Sequence, residues 1–438
     1  MPATSLSARH DGLGVELAAG AVQLALRPLQ ALAAAPSFLF LAALAAMLLR
    51  PPFPAFFEFD RVAFGLLVVG VTVRVVVLRE RLFAVRATWP MVGLSALAMA
   101  GLLCRPFDGE AWSVLAAKFL VPFTLFHLAG VVFTAERRFR QFEVFSLIVL
   151  AYLSFTAIAF LAGAHSLIFP RFIVDESLGY HLDRARGPFL QAVANGMSLN
   201  LLGLLVLHAY RRGRARGFKT ALLLGSVPLA ILATMTRAVW VSFAGTVVAL
   251  ILLPGGRVMR RACVGLTVVV GVGLGVVLSS NELRSALSDR LEDRGPIDYR
   301  TAVYAGSWEM FLQRPLTGWG FHRMPVELPR YVSGYNQTTQ YPHNTYLELL
   351  VEEGVAGLAL YLWLMWELLR LGRGAVPAAE RGGFLNAEFH RLWPILLAVY
   401  WVNAAAVVMS YQFVNGFLFT MAGMLAAHQR RAEVLRQC

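Results

Sequence analysis

Apolar runs recur along the whole chain and are separated by shorter segments that carry most of its arginines. A run of roughly 17–25 apolar residues is long enough to cross the hydrocarbon core of a bilayer as a helix. Helix is the expected conformation because each backbone N–H and C=O in lipid must be bonded within its own segment. The pattern predicts twelve spans, at Ala31–Leu49, Val62–Leu78, Ala87–Cys104, Trp112–Phe133, Val144–Ala164, Phe189–Tyr210, Thr220–Thr236, Ala238–Leu253, Ala262–Ser279, Thr345–Leu369, Leu392–Met409 and Tyr411–Ala427.

Two segments between these spans are long enough to carry chemistry. One runs from His165 to Pro188, and the other runs from Ser280 to Asn344 with a predicted amphipathic helix near Tyr299–Gln313. We therefore expect an all-α polytopic membrane protein of about twelve transmembrane helices, with a large loop between spans nine and ten. Its parts are an interfacial amino-terminal segment at 1–30, spans one to nine at 31–279, the loop at 280–344, spans ten to twelve at 345–427 and a tail at 428–438.

Composition supports this class of protein. Of the 438 residues, 58% are hydrophobic and only 15% are charged, with a mean hydropathy of +0.62. Soluble domains carry about 25% charged residues. The three cysteines lie far apart in the chain, so neither a disulfide framework nor a metal motif follows from them. The lipid bilayer is the first expected partner.

The net charge of +13 serves orientation and does not indicate a nucleic-acid partner. The arginines lie in the gaps between apolar runs, and no basic soluble domain exists that would bind a nucleic acid. Short loops rich in Lys and Arg stay on the cytoplasmic side. The distribution places both termini in the cytoplasm and the loops at 165–188 and 280–344 on the outer face.

The first candidate for chemistry is His343, where the long loop returns to the tenth span. Thr345 and Glu348 have the spacing of a capping box, which predicts that this helix begins at Thr345 and that Glu348 caps it. A histidine just before a helix amino terminus is disfavoured as imidazolium, and a neutral imidazole can accept a proton as a general base. The alternative is an ordinary interfacial histidine bonded to a loop carbonyl.

Three arginines fall on the same predicted face as His343. Arg237 lies between two apolar runs, Arg186 directly precedes the sixth span, and Arg300 begins the loop helix. A guanidinium at the hydrocarbon boundary is a bidentate partner for phosphate. The alternatives are snorkelling for Arg237, an interfacial anchor for Arg186 and a solvated charge for Arg300.

Four further polar or charged residues in or beside the spans are not expected to act directly in the chemistry. Glu352 is expected to orient a partner arginine across the bundle, and Asn344 supports the histidine loop. Arg74 and Lys118 are expected to snorkel. Because no Asp-Asp or Asp-x-Asp pair is present to hold a metal beside a pyrophosphate, the simpler hypothesis is metal-independent transfer from an anionic lipid-borne substrate, without a cofactor.

Several segments together resemble the O-antigen ligase/polymerase superfamily of bacterial envelope proteins. They are Arg186-Gly187-Pro188-Phe189, Thr236-Arg237-Ala238, Tyr299-Arg300 through Trp308 to Pro315-Leu316-Thr317-Gly318-Trp319-Gly320, Pro342-His343-Asn344-Thr345-Tyr346-Leu347-Glu348-Leu349-Leu350, and Glu352-Glu353-Gly354-Val355-Ala356-Gly357-Leu358. The similarity covers residues 180–370 best. Their order and spacing carry the resemblance, since each segment alone is unspecific.

The resemblance implies a multi-pass protein of the bacterial inner membrane whose large periplasmic loop caps a cavity. It implies transfer of a glycan from undecaprenyl pyrophosphate to an acceptor, with inversion and without metal or nucleotide. By this similarity His343 is the base, Arg237 and Arg300 bind the pyrophosphate, and Arg186 is a third contact.

Three activities remain open at this point. A ligase would use lipid A–core as acceptor, whereas a polymerase would use a growing lipid-linked glycan. We favour the ligase because the chain is compact and has a single well-matched histidine loop. A transporter or flippase of lipid-linked glycan would use the same arginines, but transporters show internal repeats, and none is visible in this sequence.

Overall fold

The computed structural model describes residues 34–53, 58–79, 83–178, 182–252, 295–332, 341–374 and 382–437, with six single positions between 265 and 288. Two predicted segments, 1–30 and the ninth span Ala262–Ser279, lie outside these ranges. Throughout the described residues the regular structure is helical and no strand is formed. The expected all-α class is therefore confirmed.

The helices follow the apolar pattern. They are α1 Pro36–Leu48, α2 Phe59–Leu78, α3 Thr88–Leu103, α4 Gly109–Val132, α5 Glu136–Leu161, α6 Ala192–Arg211, α7 Phe218–Leu232, α8 Arg237–Leu252, α9 Gly295–Gln313, α10 Met324–Glu327, α11 Thr345–Leu371, α12 Ala387–Ala404 and α13 Gln412–Gln437. The tail predicted from residue 428 continues α13 as helix up to Gln437.

Four of the described helices are long and apolar enough to cross a membrane: α4, α5, α6 and α11. They coincide with predicted spans four, five, six and ten. Four further apolar helices, α1, α3, α7 and α8, are shorter. Every predicted span except the ninth overlaps a described helix, while the number of membrane crossings and the placement of the long loop stay predictions.

The seventh and eighth spans form a tight hairpin whose turn differs from the sequence-based boundaries. Helix α7 ends at Leu232, four residues earlier than predicted, and the turn at 233–236 contains Met235 with a positive φ of 45°. Helix α8 therefore begins at Arg237 itself. The guanidinium of Arg237 thus joins a helix amino terminus, where the backbone already carries partial positive charge.

Contacts between loops sort the described segments into two ends of the bundle. At the first, here called the histidine end, the loop before α4, the segment after α9, the start of α11 and the turn between α12 and α13 meet. At the second, here called the arginine end, the start of α5, the loop after α6, the segment before α12 and the last turns of α13 meet. Functional residues can therefore be assigned to an end by their contacts.

Candidate functional site

The start of α11 holds His343 at the histidine end. The Asn344 side chain accepts hydrogen bonds from the backbone N–H groups of Tyr346 and Leu347, at 3.0 and 3.2 Å. Helix α11 begins at Thr345, as predicted, but Asn344 is its cap, so the predicted Thr345–Glu348 capping box is wrong. Half-buried His343 has a positive φ of 47° and lies beside the Tyr299 ring, at a centroid distance of 6.3 Å.

Arg300 and His343 lie beside the same turn, although 42 residues separate them in the chain. The Arg300 guanidinium donates to the carbonyl of Ala406 at 3.4 Å. The hydroxyl of Thr345, two residues after His343, donates to the carbonyl of Val407 at 2.7 Å and accepts from the N–H of Met409 at 2.9 Å. The turn between α12 and α13 thus brings the starts of α9 and α11 together.

Arg237 reaches this end through the packing of α8 on α12. The Asn403 side-chain amide donates to the Ser242 hydroxyl at 2.9 Å, and both residues are buried. Arg237 precedes Ser242 by five residues, about 7.5 Å along the helix, and Ala406 follows Asn403 by three. Because Ser242 lies in the second turn of α8 and Asn403 lies in the last turn of α12, Arg237 and the Ala406 carbonyl are both within a few residues of this contact.

Arg186 occupies a different environment from that expected for a donor contact. Arg186 is 2% exposed, and its guanidinium donates to three backbone carbonyls: Leu178 in a short contact, Ile173 at 2.9 Å and Asp175 at 3.1 Å. These bonds close the loop at 173–178 around one side chain. The geometry favours a structural role, in which Arg186 fixes this loop against the bundle.

Replacement of Arg186 by glutamine tests this role. We expect the variant to lose about 1–3 kcal/mol of folding stability, because buried carbonyls are left without a donor. The apparent affinity for the glycan donor should stay unchanged in the protein that remains folded. Thermal unfolding in detergent and donor titration measure the two effects, with the exposed Arg171→Gln as control. A large loss of donor affinity at unchanged stability would instead support the direct contact predicted from sequence.

Lys118 was expected to snorkel and Glu348 to cap α11, and the structure corrects both predictions. The Lys118 ammonium donates to the Glu348 carboxylate at 2.6 Å, and both side chains are 3% exposed. A π-helical turn at Ala116–Leu120 carries Lys118 within α4, and its ammonium also lies 5.6 Å from the Phe321 ring centroid. The pair is a buried ion pair between two membrane helices, directly below the histidine loop.

Glu352 contacts the loop backbone, whereas the sequence suggested that it orients an arginine. Its carboxylate accepts from the N–H of Met324 at 3.3 Å, and its carbonyl accepts from the N–H of Gly320 at 2.7 Å. Buried Glu353, the next residue, has no hydrogen-bond partner among the described side chains for either carboxylate oxygen. Glu352 therefore binds the segment after α9 to α11.

Helix α11 is broken at Gly354, where the long loop joins it. Gly354 has φ 68° and ψ −165°, and four backbone hydrogen bonds cross the break. The N–H groups of Trp319 and Gly320 donate to Val351 and Glu352, and those of Val355 and Ala356 donate to Pro315 and Leu316. The loop motif at 315–320 and the helix motif at 351–356 therefore form one unit.

This junction requires glycine at position 354, and we therefore predict that a larger residue there destabilises the protein. A Cβ at Gly354 would lie 2.3 Å from the Leu316 carbonyl oxygen, and its positive φ is strained for any L side chain. We expect Gly354→Ala to lower the free energy of unfolding by at least about 2 kcal/mol. Unfolding in detergent measures it. Gly245→Ala in α8, where a Cβ meets no atom within 4 Å, is the control and should be neutral or slightly stabilising. Equal behaviour of the two variants would contradict this account.

Several polar residues at this end were not singled out from the sequence. Arg105, before α4, donates to the carbonyl of Phe321, and His322 lies 4.0 Å from the Glu110 carboxylate. Burial lowers the pKa of His322, so it is neutral near pH 7, and burial raises the pKa of Tyr341 to about 12. A charge within an apolar run was the signal for Lys118, whereas nothing local to Arg105 or His322 indicates their contacts.

The described residues contain no group of three His, Cys, Asp or Glu side chains placed to hold a metal ion. Of the four site residues predicted from the sequence, His343, Arg237 and Arg300 lie toward the histidine end, whereas Arg186 is held in the loop at 173–178. These three residues supply one imidazole and two guanidinium groups.

Comparison with known families bears on the same region. Residues 220–362 match a family model described as O-antigen ligase. The match includes α7, α8, α9 and the start of α11, and with them Arg237, Arg300 and His343, whereas Arg186 and Lys118 fall outside it. No curated protein matches the chain.

Proposed function

We propose, from the match of residues 220–362 to the O-antigen ligase family model, that the chain is a member of this superfamily and transfers a glycan from a polyprenyl-pyrophosphate donor to an acceptor hydroxyl. Undecaprenyl pyrophosphate is the proposed lipid carrier and lipid A–core the proposed acceptor. One observation supports the proposal above all others. The starts of α9 and α11, which carry Arg300 and His343, meet at the turn between α12 and α13.

The proposed reaction is a direct displacement at the anomeric carbon of the donor sugar. The acceptor oxygen forms the new bond to this carbon while His343 takes the hydroxyl proton on a ring nitrogen. The bond between the anomeric carbon and the pyrophosphate oxygen breaks, and its electron pair leaves with the polyprenyl pyrophosphate. A single displacement inverts the configuration.

Arg237 and Arg300 are proposed to bind the pyrophosphate. Negative charge grows on the leaving oxygen as the bond breaks, and prepositioned cations stabilise this charge more than they stabilise the ground state. Arg237 adds its charge to the amino terminus of α8, where anions are favoured. The backbone contact of Arg300 with Ala406 holds the second guanidinium beside the turn next to His343.

The proposed setting is the bacterial inner membrane, with the histidine end toward the periplasm and both termini in the cytoplasm. The long loop then covers the site on the outer face. This orientation places the proposed base where a flipped lipid-linked glycan and lipid A–core are both present.

The function is tested with purified protein, undecaprenyl-pyrophosphate-linked glycan and lipid A–core. A glycan joined to lipid A–core supports the ligase. A lengthened lipid-linked chain, formed without lipid A–core, supports the alternative of an O-antigen or exopolysaccharide polymerase. An unchanged glycan–lipid linkage under all conditions would contradict both and leave a transporter or flippase of the same lipid as the interpretation.

Replacement of Arg237 by alanine tests the donor site. We expect the apparent Michaelis constant for the donor to rise about ten- to one-hundred-fold, because the pyrophosphate loses a charge-assisted, bidentate partner worth roughly 1.5–3 kcal/mol. Initial rates over a range of donor concentrations provide the measurement. The control is Arg171→Ala, which removes an exposed arginine from the loop at 165–188 on the same predicted face and should match the parent protein. Unchanged donor dependence in Arg237→Ala would remove this arginine from the site.

A further inference from the structure

A cavity lies at the arginine end, away from the proposed transfer site. It has a volume of about 480 Å³ and lies between the junction of α4 and α5, the segment before α12 and the last turns of α13. Small-molecule sites commonly have volumes of about 300–1,000 Å³. Lys118, below the histidine loop, precedes the cavity residue Phe133 by 15 residues, about 22 Å along α4, and Phe133 directly follows the end of this helix. The cavity is therefore a separate site.

The walls of the cavity change character with depth. Phe133, Phe384 and Met424 are buried and form an apolar inner surface, and the Phe139 ring stacks on Phe384 at a centroid distance of 5.2 Å. Thr134, at the rim, is exposed. An occupant would therefore place an apolar portion against the aromatic rings and a polar portion at the rim.

The polar rim carries an excess of positive charge. Arg214 and Arg431 line the cavity, and buried Arg212 lies behind it, bonded to Glu136 at 2.7 Å and to Glu143 at 2.5 Å. Arg214 contacts the same Glu136 oxygen at 3.2 Å, and Arg431 donates to the carbonyl of Gly130 at 3.2 Å. Among the described residues, the cavity lining carries two guanidinium groups, those of Arg214 and Arg431, and one carboxylate, that of Glu136, and this balance favours an anion.

We propose that this cavity binds the phosphate headgroup of an anionic phospholipid, with the start of an acyl chain against the aromatic wall. The Arg214 side chain is 42% exposed and supplies one guanidinium group. Arg431, in α13, supplies the second. Basic pockets between membrane helices on the cytoplasmic side bind lipid phosphates of this kind. Since α4, α5 and α13 all contribute, a bound lipid stabilises the bundle at this end.

The test is native mass spectrometry and thermal unfolding of the purified full-length protein with phosphatidylglycerol, phosphatidylcholine or inorganic phosphate. We expect retained phosphatidylglycerol and a higher unfolding temperature with this lipid alone. Arg214→Ala and Arg431→Ala should each weaken retention about ten-fold, and Thr134→Trp should block the entrance while keeping every charge. Arg216→Ala removes an exposed arginine from the same loop outside the cavity and should retain the lipid as the parent does.

The remaining outcomes overturn the proposal. Equal retention of phosphatidylcholine would show an unspecific apolar groove, and equal stabilisation by inorganic phosphate would show a simple anion site. A loss in Arg216→Ala as large as in Arg214→Ala would indicate general surface attraction. Glycan transfer in detergent by the Arg214→Ala variant should stay within about two-fold of the parent, which separates a lost lipid from a misfolded protein.

Discussion

Replacement of His343 by alanine is expected to reduce glycan transfer by roughly 100- to 10,000-fold, the range over which a positioned general base accelerates proton transfer. The acceptor hydroxyl would then have to lose its proton to water at the moment of attack. Donor binding should persist, because Arg237 and Arg300 are untouched. The rate constant for transfer in the purified system, measured at saturating donor, is the appropriate readout.

The His343→Ala variant must be shown to fold as the parent protein does. His343 is half-buried and precedes the cap of α11, which Asn344 supplies. We therefore expect an unchanged unfolding midpoint and elution volume. His165→Ala is the matched control, since His165 is exposed in the other loop predicted on the outer face. Transfer by His343→Ala at close to the parent rate would exclude this residue as the base, independently of the roles of Arg237 and Arg300.

The second large effect is expected at the buried ion pair. Lys118→Met removes the cation that lies 2.6 Å from the Glu348 carboxylate and leaves a charge in a membrane helix with 3% side-chain exposure. Breaking such a pair costs about 3–5 kcal/mol, because the remaining charge is no longer compensated. Unfolding of the purified variant in detergent, followed by the loss of monodisperse protein, measures the change. Lys219→Met, at an exposed lysine, should lie within about 0.5 kcal/mol of the parent.

The double variant Lys118→Met with Glu348→Gln separates the pair from its surroundings. Removing both charges is often close to neutral, so most of the lost stability should return. A single variant as stable as the parent would mean that water or lipid headgroups reach Glu348. A double variant as unstable as the single one would assign the loss to packing of the lysine stem against Phe119 and Phe321.

The sequence predicted those features that are encoded locally. The apolar runs gave the helices, and the polar excursion before Thr345 gave the start of α11. Asn344 and Thr345 are both ordinary capping residues, so the cap itself was misassigned by one position. The end of the seventh span was predicted four residues too late because Ala233 and Met235 are as apolar as the helix before them.

Contacts that join remote parts of the chain were beyond local inference. Lys118 and Glu348 are 230 residues apart, and each alone resembles an interfacial charge or a cap. The carbonyls that bind Arg186 carry no side-chain signature, since any residue type supplies them. Gly354 lies in an apolar run that continues with helical periodicity, and its break becomes necessary only when the backbone at 315–320 docks there.

The junction at Gly354 also bears on the route by which a substrate could reach the proposed transfer site around His343. Four main-chain hydrogen bonds tie residues 315–320 to residues 351–356, and Glu352 adds a fifth contact through Met324. If residues 315–320 cover the proposed site, their movement with these bonds intact would also move the start of α11 and, with it, the proposed base His343. For the proposed lipid-linked donor, sideways entry from the bilayer would leave these bonds intact, whereas entry by lifting residues 315–320 would displace the proposed base.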